Sequence, residues 1–173
     1  MTDATGTITP EVDAQVRAAA EEIIGWGEAA ERFARDVVNQ PTIENWLEAM
    51  GFASTRFRAG EAPPSMAQVW TMYGLGGGPS ERDPLHAMMN VLTGLGLTGV
   101  LGTNCEQTYE RYLRVGEQVR VTTALDSVVG PKTTGMGVGY FVTSRSVWRV
   151  QDEVVATMLF RVLKFVPNGG GPA

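Results

Sequence analysis

From Val100 to Phe165 the chain carries its apolar residues in β-branched, partly alternating segments, and this stretch restricts the fold more than any other feature. One segment leads from Val100 to Thr108. A second holds Val119, Val121, Thr123, Leu125 and Val128; a third holds Phe141, Thr143, Val147, Trp148 and Val150; a fourth holds Val154, Met158, Phe160 and Val162. Gly116, Gly130-Pro131 and Gln151-Asp152 stand between them as turn signals. The pattern predicts about four sequential antiparallel strands. A meander of this kind presents an apolar face that the first hundred residues must cover.

Those residues supply helices. Asp13 is a candidate cap for a helix in which Val16, Ala20, Ile23, Ile24 and Trp26 recur at helical spacing, continuing towards Phe33 and Val37 and loosened by Gly25 and Gly27. Thr42 is a candidate cap for a short amphipathic helix carrying Ile43, Trp46, Leu47 and Met50, with Gly51 just past its end. Pro63 and Pro64 introduce Met66, Val69, Trp70, Met72 and Tyr73, a segment so poor in charge that a helix there must be nearly enveloped by protein. In residues 79 to 98, Leu85, Met88, Met89 and Leu92 suggest a helical turn or two, while Gly94, Gly96 and Gly99 argue against more. The expectation is an α+β domain in which an antiparallel sheet curls around the Pro64 to Tyr73 helix. Residues 1–31 form an N-terminal helical extension, 32–167 the main domain, and 168–173 a glycine-rich flexible tail.

Composition excludes several functions. The 14 Lys and Arg against 19 Asp and Glu give a net charge of −5, and the basic residues are scattered, so nucleic acid is not expected as a partner. The weakly polar stretch from Leu92 to Gly102 is about half of the roughly 20 residues that span a bilayer, so no membrane segment is expected. The opening residues carry no basic-then-apolar pattern, so no secretory leader is expected. One Cys and one His cannot make a zinc site from these residue types, and Cys105 has no second cysteine to pair with. A cytoplasmic protein without metal is the reading.

Several segments, in this order, resemble one family: Asn39-Gln40-Pro41-Thr42-Ile43, Ala62-Pro63-Pro64-Ser65-Met66, Gln68-Val69-Trp70-Thr71-Met72, Thr103-Asn104-Cys105-Glu106-Gln107, Gly130-Pro131-Lys132-Thr133-Thr134, Gly137-Val138-Gly139-Tyr140-Phe141 and Phe160-Arg161-Val162-Leu163-Lys164-Phe165. They are similar to the MaoC-like (FAS1-like) dehydratase N-terminal domains in the larger subunit of heteromeric steroid enoyl-CoA hydratases. The resemblance implies a hot-dog fold that pairs edge to edge with a second hot-dog subunit as a heterodimer or heterotetramer. It implies a coenzyme A thioester as substrate, with no other cofactor. It also implies a further C-terminal zinc-ribbon and OB-fold domain that docks an aldolase. Residues 51–61 depart from the family, because the aspartate-containing stretch usual there is shortened or replaced.

Hydration of an enoyl thioester needs a base for water and an acid for the α carbon. Hydratases of this group take both from an aspartate and a histidine five residues later. The only histidine here, His86, follows Asp83 by three residues in what reads as a Gly/Pro-framed loop, so no catalytic residue is assigned. Glu44 and Glu48 read as a solvated helix face, and Cys105 as a small buried cysteine on a strand. Met66, Trp70 and Met72 are the expected acyl-pocket residues, against the alternative that they are core. Gly137 and Gly139 are expected either to admit a pantetheine arm or to mark a tightly packed strand. Lys132, Arg145 and Arg149 are candidates for the coenzyme A phosphates. The leading expectation is a non-catalytic subunit that shapes the pocket for a bulky acyl-CoA while a partner supplies the dyad. The alternatives are a homodimeric acyl-CoA-binding module, or a self-sufficient enzyme using Asp36, His86 or Glu106.

Overall fold

The computed structural model describes residues 8–168. In chain order these form α1 (Pro10–Gly25), β1 (Ala29–Phe33), α2 (Gln40–Met50), α3 (Thr55–Arg58), β2 (Glu61–Ala62), a 3-10 turn (Pro64–Met66), α4 (Ala67–Trp70), α5 (Pro84–Gly94), β3 (Gly99–Tyr109), β4 (Leu113–Arg114), β5 (Val119–Thr134), β6 (Gly137–Val150) and β7 (Glu153–Pro167). The main sheet runs β1-β5-β6-β7-β3, antiparallel throughout, and β2 pairs with β4 in a small separate ribbon. The four long strands expected after Val100 are β3, β5, β6 and β7, but only β5, β6 and β7 pair in sequence; β3 pairs with β7 at the sheet edge and not with β5. The helices cover one face of this sheet, which is a hot-dog fold.

Several local expectations are corrected. The α1 cap is Thr9, whose hydroxyl accepts the Val12 N–H, and the helix stops at Gly25. Gly27 (φ +65) then turns the chain, so Ala29–Phe33 pairs with β5 as an edge strand instead of continuing the helix. Asn39, not Thr42, caps α2 by accepting the Thr42 N–H, while Gly51 closes it in the left-handed conformation. Gly130-Pro131 is not a turn: it lies inside β5 at a break in pairing between Val129 and Lys132, and the chain reverses at Gly135-Met136. Cys105 is exposed, because β3 is the outer edge of the sheet. Of the expected tail, Asn168 donates its backbone N–H to the Met136 carbonyl, and residues 169–173 lie outside the described residues.

The largest correction concerns the covering helices. The expected Pro64 to Tyr73 helix is only a 3-10 turn followed by the single turn of α4. Residues 84 to 94 instead make three turns of helix. Asp83 caps α5 by accepting the His86 N–H at 2.9 Å, and Pro84 occupies its first turn, where no N–H is needed. The glycines that argued against this helix fall at its end: Gly94 is its last residue and Gly96 (φ +92) reverses the chain. Met88 and Leu92, one turn apart, are fully buried.

Two hydrophobic clusters result. One gathers Val38, Ile43, Leu47, Met66, Trp70, Val121 and Trp148 beneath α2 and α4. The other gathers Val12, Val16, Ile23, Met88, Leu92, Leu97, Tyr140 and Val142 between α1, α5 and the far half of the sheet. The helix expected as an N-terminal extension is therefore part of the packing.

Candidate functional site

Between α4 and α5 the sheet is left partly uncovered, and a cavity of about 660 Å³ opens there. Its floor consists of cross-strand neighbours: Thr123 opposite Ser146, which is opposite Met158, then Ser144 opposite Phe160, and Val121 opposite Trp148. Period-two alternation puts these side chains on one face of three adjacent strands. Small polar residues at Thr123, Ser144 and Ser146 leave room where larger ones would fill the space. Gln68, Thr71, Met72 and Tyr73 make one wall, and Asp83, Leu85, His86 and Met89 the other. Arg32 of β1 closes one side.

The polar groups around the cavity are held in place. The Trp148 indole N–H donates to Thr71 Oγ1 at 2.9 Å. Arg32 Nε donates to the Thr71 carbonyl at 2.8 Å, and its Nη1 donates to the Tyr73 hydroxyl at 2.6 Å, with the guanidinium 4.1 Å from the Tyr73 ring centroid. Burial raises the Tyr73 hydroxyl above its ordinary value, so it stays a protonated donor at neutral pH.

The structure brings His86 to the site, which corrects the loop expected for it. His86 lies in the first turn of α5 and lines the cavity beside Asp83. That Asp83 carboxylate is the helix cap, accepting the His86 backbone N–H. Sequence reasoning also passed over Glu81, which stands five residues before His86, the spacing of the dyad with glutamate in place of aspartate. Glu81 is exposed and is not part of the cavity lining. The signal that would have found His86 was Asp83-Pro84 as the start of a helix.

Of the expected acyl-pocket residues, Met72 lines the cavity, whereas Met66 (0% exposed) and Trp70 (6%) sit in the α2/α4 core. Gly137 and Gly139 lie outside the cavity lining. A Cβ at Gly137 would stand 1.9 Å from the Val166 carbonyl oxygen, and one at Gly139 2.1 Å from that of Lys164. These glycines allow β6 and β7 to approach. Lys132 is exposed on β5. Arg149 and Arg145 converge on Glu28 at 2.8 and 3.5 Å, and Arg145 also lies 4.0 Å from Asp126. The Arg149 hydrogen bond holds the Glu28 carboxyl below its usual range. Both arginines are thus neutralised locally. Among the described residues no group of three or more His, Cys, Asp or Glu could hold a metal, and no helix is long and apolar enough to cross a membrane.

Fold and site together define a hot-dog domain with a cavity suited to an apolar guest. The chain belongs to the FAS1-like, dehydratase domain region family, whose model matches residues 26–158. It is 46% identical over 165 residues to the 3-oxo-4,17-pregnadiene-20-carboxyl-CoA hydratase alpha subunit of Mycobacterium tuberculosis, covering 89% of this chain and 53% of that protein. It is 35% identical to a probable enoyl-CoA hydratase alpha subunit of Thermomonospora curvata, covering 79% of this chain and 48% of that protein. The chain therefore spans about half the length of these curated relatives. Among solved structures, a chain of the ChsH1-ChsH2 complex of Mycobacterium tuberculosis superposes with a TM-score of 0.85 at 45% identity, covering 92% of this chain and 96% of that one.

Proposed function

We propose that this chain is a pocket-forming hot-dog subunit of a heteromeric enoyl-CoA hydratase that acts on a bulky, steroid-like acyl-CoA. A partner hot-dog subunit supplies the aspartate–histidine dyad. The observation that carries the reading is the cavity itself. Pockets of about 300–1,000 Å³ suit drug-sized guests, and this one, at about 660 Å³, meets the thioester chemistry with a single histidine. The carboxylate nearest that histidine caps α5. The resemblance to hydratase alpha subunits supports the same role. A reducing cytoplasm suits the exposed, unpaired Cys105.

In this reading the chain contributes shape. The apolar walls exclude water from the acyl group, and α5 holds the side of the cavity that carries His86. Hydratase activity on a bulky enoyl-CoA, followed by loss of the conjugated thioester absorbance, is expected only when this chain is combined with a dyad-bearing partner. Turnover by this chain alone would overturn the assignment.

A second reading rests on a specific observation: His86 faces the cavity, with Glu81 at dyad spacing. If His86 is the base, His86→Ala should abolish activity of the assembled enzyme while its pocket still binds acyl-CoA. If the partner holds the dyad, the same variant retains most of the turnover.

A further inference from the structure

Arg32 stands apart from the other arginines of the molecule's ion-pair networks. Arg17, Arg111, Arg120, Arg145 and Arg149 each reach a carboxylate within 4.0 Å. Among the described residues Arg32 reaches none. Its guanidinium is half-buried at the side of the cavity and fixed through Nε and Nη1 by the Thr71 carbonyl and the Tyr73 hydroxyl. The remaining N–H groups, on Nη1 and Nη2, have no protein acceptor among the described residues. The Tyr73 hydroxyl accepts from Arg32, which leaves its own proton to donate. Two oriented sets of donors therefore border an otherwise largely apolar space, with their positions set before a guest arrives.

The charges of the lining indicate what they would bind. Arg32 and Asp83 are the only charged types there besides the neutral-or-cationic His86, so the cavity has little net charge. A phosphate would meet one cation and one carboxylate. A neutral oxygen accepts from a guanidinium and a phenol without adding charge. Because Arg32 is half-buried and Tyr73 is 38% exposed, selection for that oxygen is the modest net gain of a hydrogen bond to a charged donor over one to water.

Resting on the proposed function, we infer that Arg32 and Tyr73 form a specificity subsite that reads a carbonyl oxygen on the ring skeleton of the acyl group. Thr71 links the subsite to the floor, since its carbonyl holds Arg32 and its hydroxyl accepts from Trp148. Arg32 and Tyr73 are positioning residues for the guest.

The test is calorimetric binding of a 3-oxo steroid and its 3-deoxy counterpart to the full chain, with coenzyme A as a separate probe. The wild type should prefer the ketone by about tenfold, on the order of one hydrogen bond to a charged donor. In Arg32→Met and in Tyr73→Phe the ketone should weaken to the level of the deoxy compound, whose affinity stays the same. Tyr73→Phe removes only a hydroxyl and guards against a folding defect in Arg32→Met. Equal wild-type affinities, a preference that survives both variants, or equal weakening of both steroids would overturn the subsite. Loss of coenzyme A affinity in Arg32→Met would assign the guanidinium to a phosphate and also overturn it. Hydration by the assembled enzyme is a separate readout, so failure of the hydratase assignment would leave these ratios unchanged.

Discussion

The concave face of the sheet is treated in two ways along the same strands. At Tyr140 and Val142 of β6 the side chains are large or branched and seal against α1 and α5. Two and four residues further on, Ser144 and Ser146 carry small hydroxyls, and the cavity opens above them. Because strand residues of like parity share a face, the difference lies in side-chain volume and in whether a helix lies overhead. The covered half holds the fold together. The open half is what the fold leaves for a guest.

This comparison can be broken most severely in the covered half. Leu92→Ala, at a position with no exposure beneath α5, should cost about 2–5 kcal/mol in urea denaturation, because a cavity is left in a close-packed cluster. Gly139→Ala should cost about 1–3 kcal/mol by forcing β6 from β7, and a variant as stable as the wild type would show that the strands yield there.

A smaller effect is expected where α1 is tied to the sheet. The buried Tyr140 hydroxyl donates to Asp13 Oδ1 at 2.8 Å, and the Arg17 hydrogen bond holds the Asp13 carboxyl below its ordinary value of 3.8. Asp13→Asn should lower stability by about 1 kcal/mol at neutral pH. A depressed folded-state pKa stabilises above the unfolded value and loses that contribution as pH falls through the folded one. The gap between variant and wild type in denaturation midpoints should therefore shrink below pH 3.8. A gap that widens with acid would exclude this linkage.

The open half should tolerate what the covered half cannot. Ser146→Leu fills the cavity floor and should change stability by less than about 1 kcal/mol, since the added bulk enters empty space. Calorimetric affinity for a steroid guest should fall by about tenfold. Unchanged affinity would move the guest elsewhere.

Much of the sheet was legible because β-branched residues, alternation and turn residues act locally. The strands after Val100 needed no tertiary information to be recognised. The site was less legible. Pro64 to Tyr73 looked like an enveloped helix because it is apolar, yet apolar composition shows burial and not helix length. Leu85 to Leu92 looked broken because glycines cluster beyond it, although they mark the helix end. The pocket roles of Met66 and Trp70 followed from the first of these two misplacements, and the His86 loop from the second. Arg32 carried no signal at all, being one arginine in a short edge strand.

Resemblance of its motifs to known proteins showed the family from sequence alone. Turn chemistry and period-two patterning, which are properties of neighbours in the chain, showed the α+β class and the four long strands, but the placing of β3 beside β7 and not β5 was decided by the tertiary structure. Only the tertiary structure decided that α5 lies over the far half of the sheet, that His86 reaches the cavity beside the capping Asp83, and that Arg32, Thr71, Tyr73 and Trp148 meet. Those groups are separated by up to 116 residues in the chain, from Arg32 to Trp148. Their contact depends on how strands and helices pack, which no local pattern encodes.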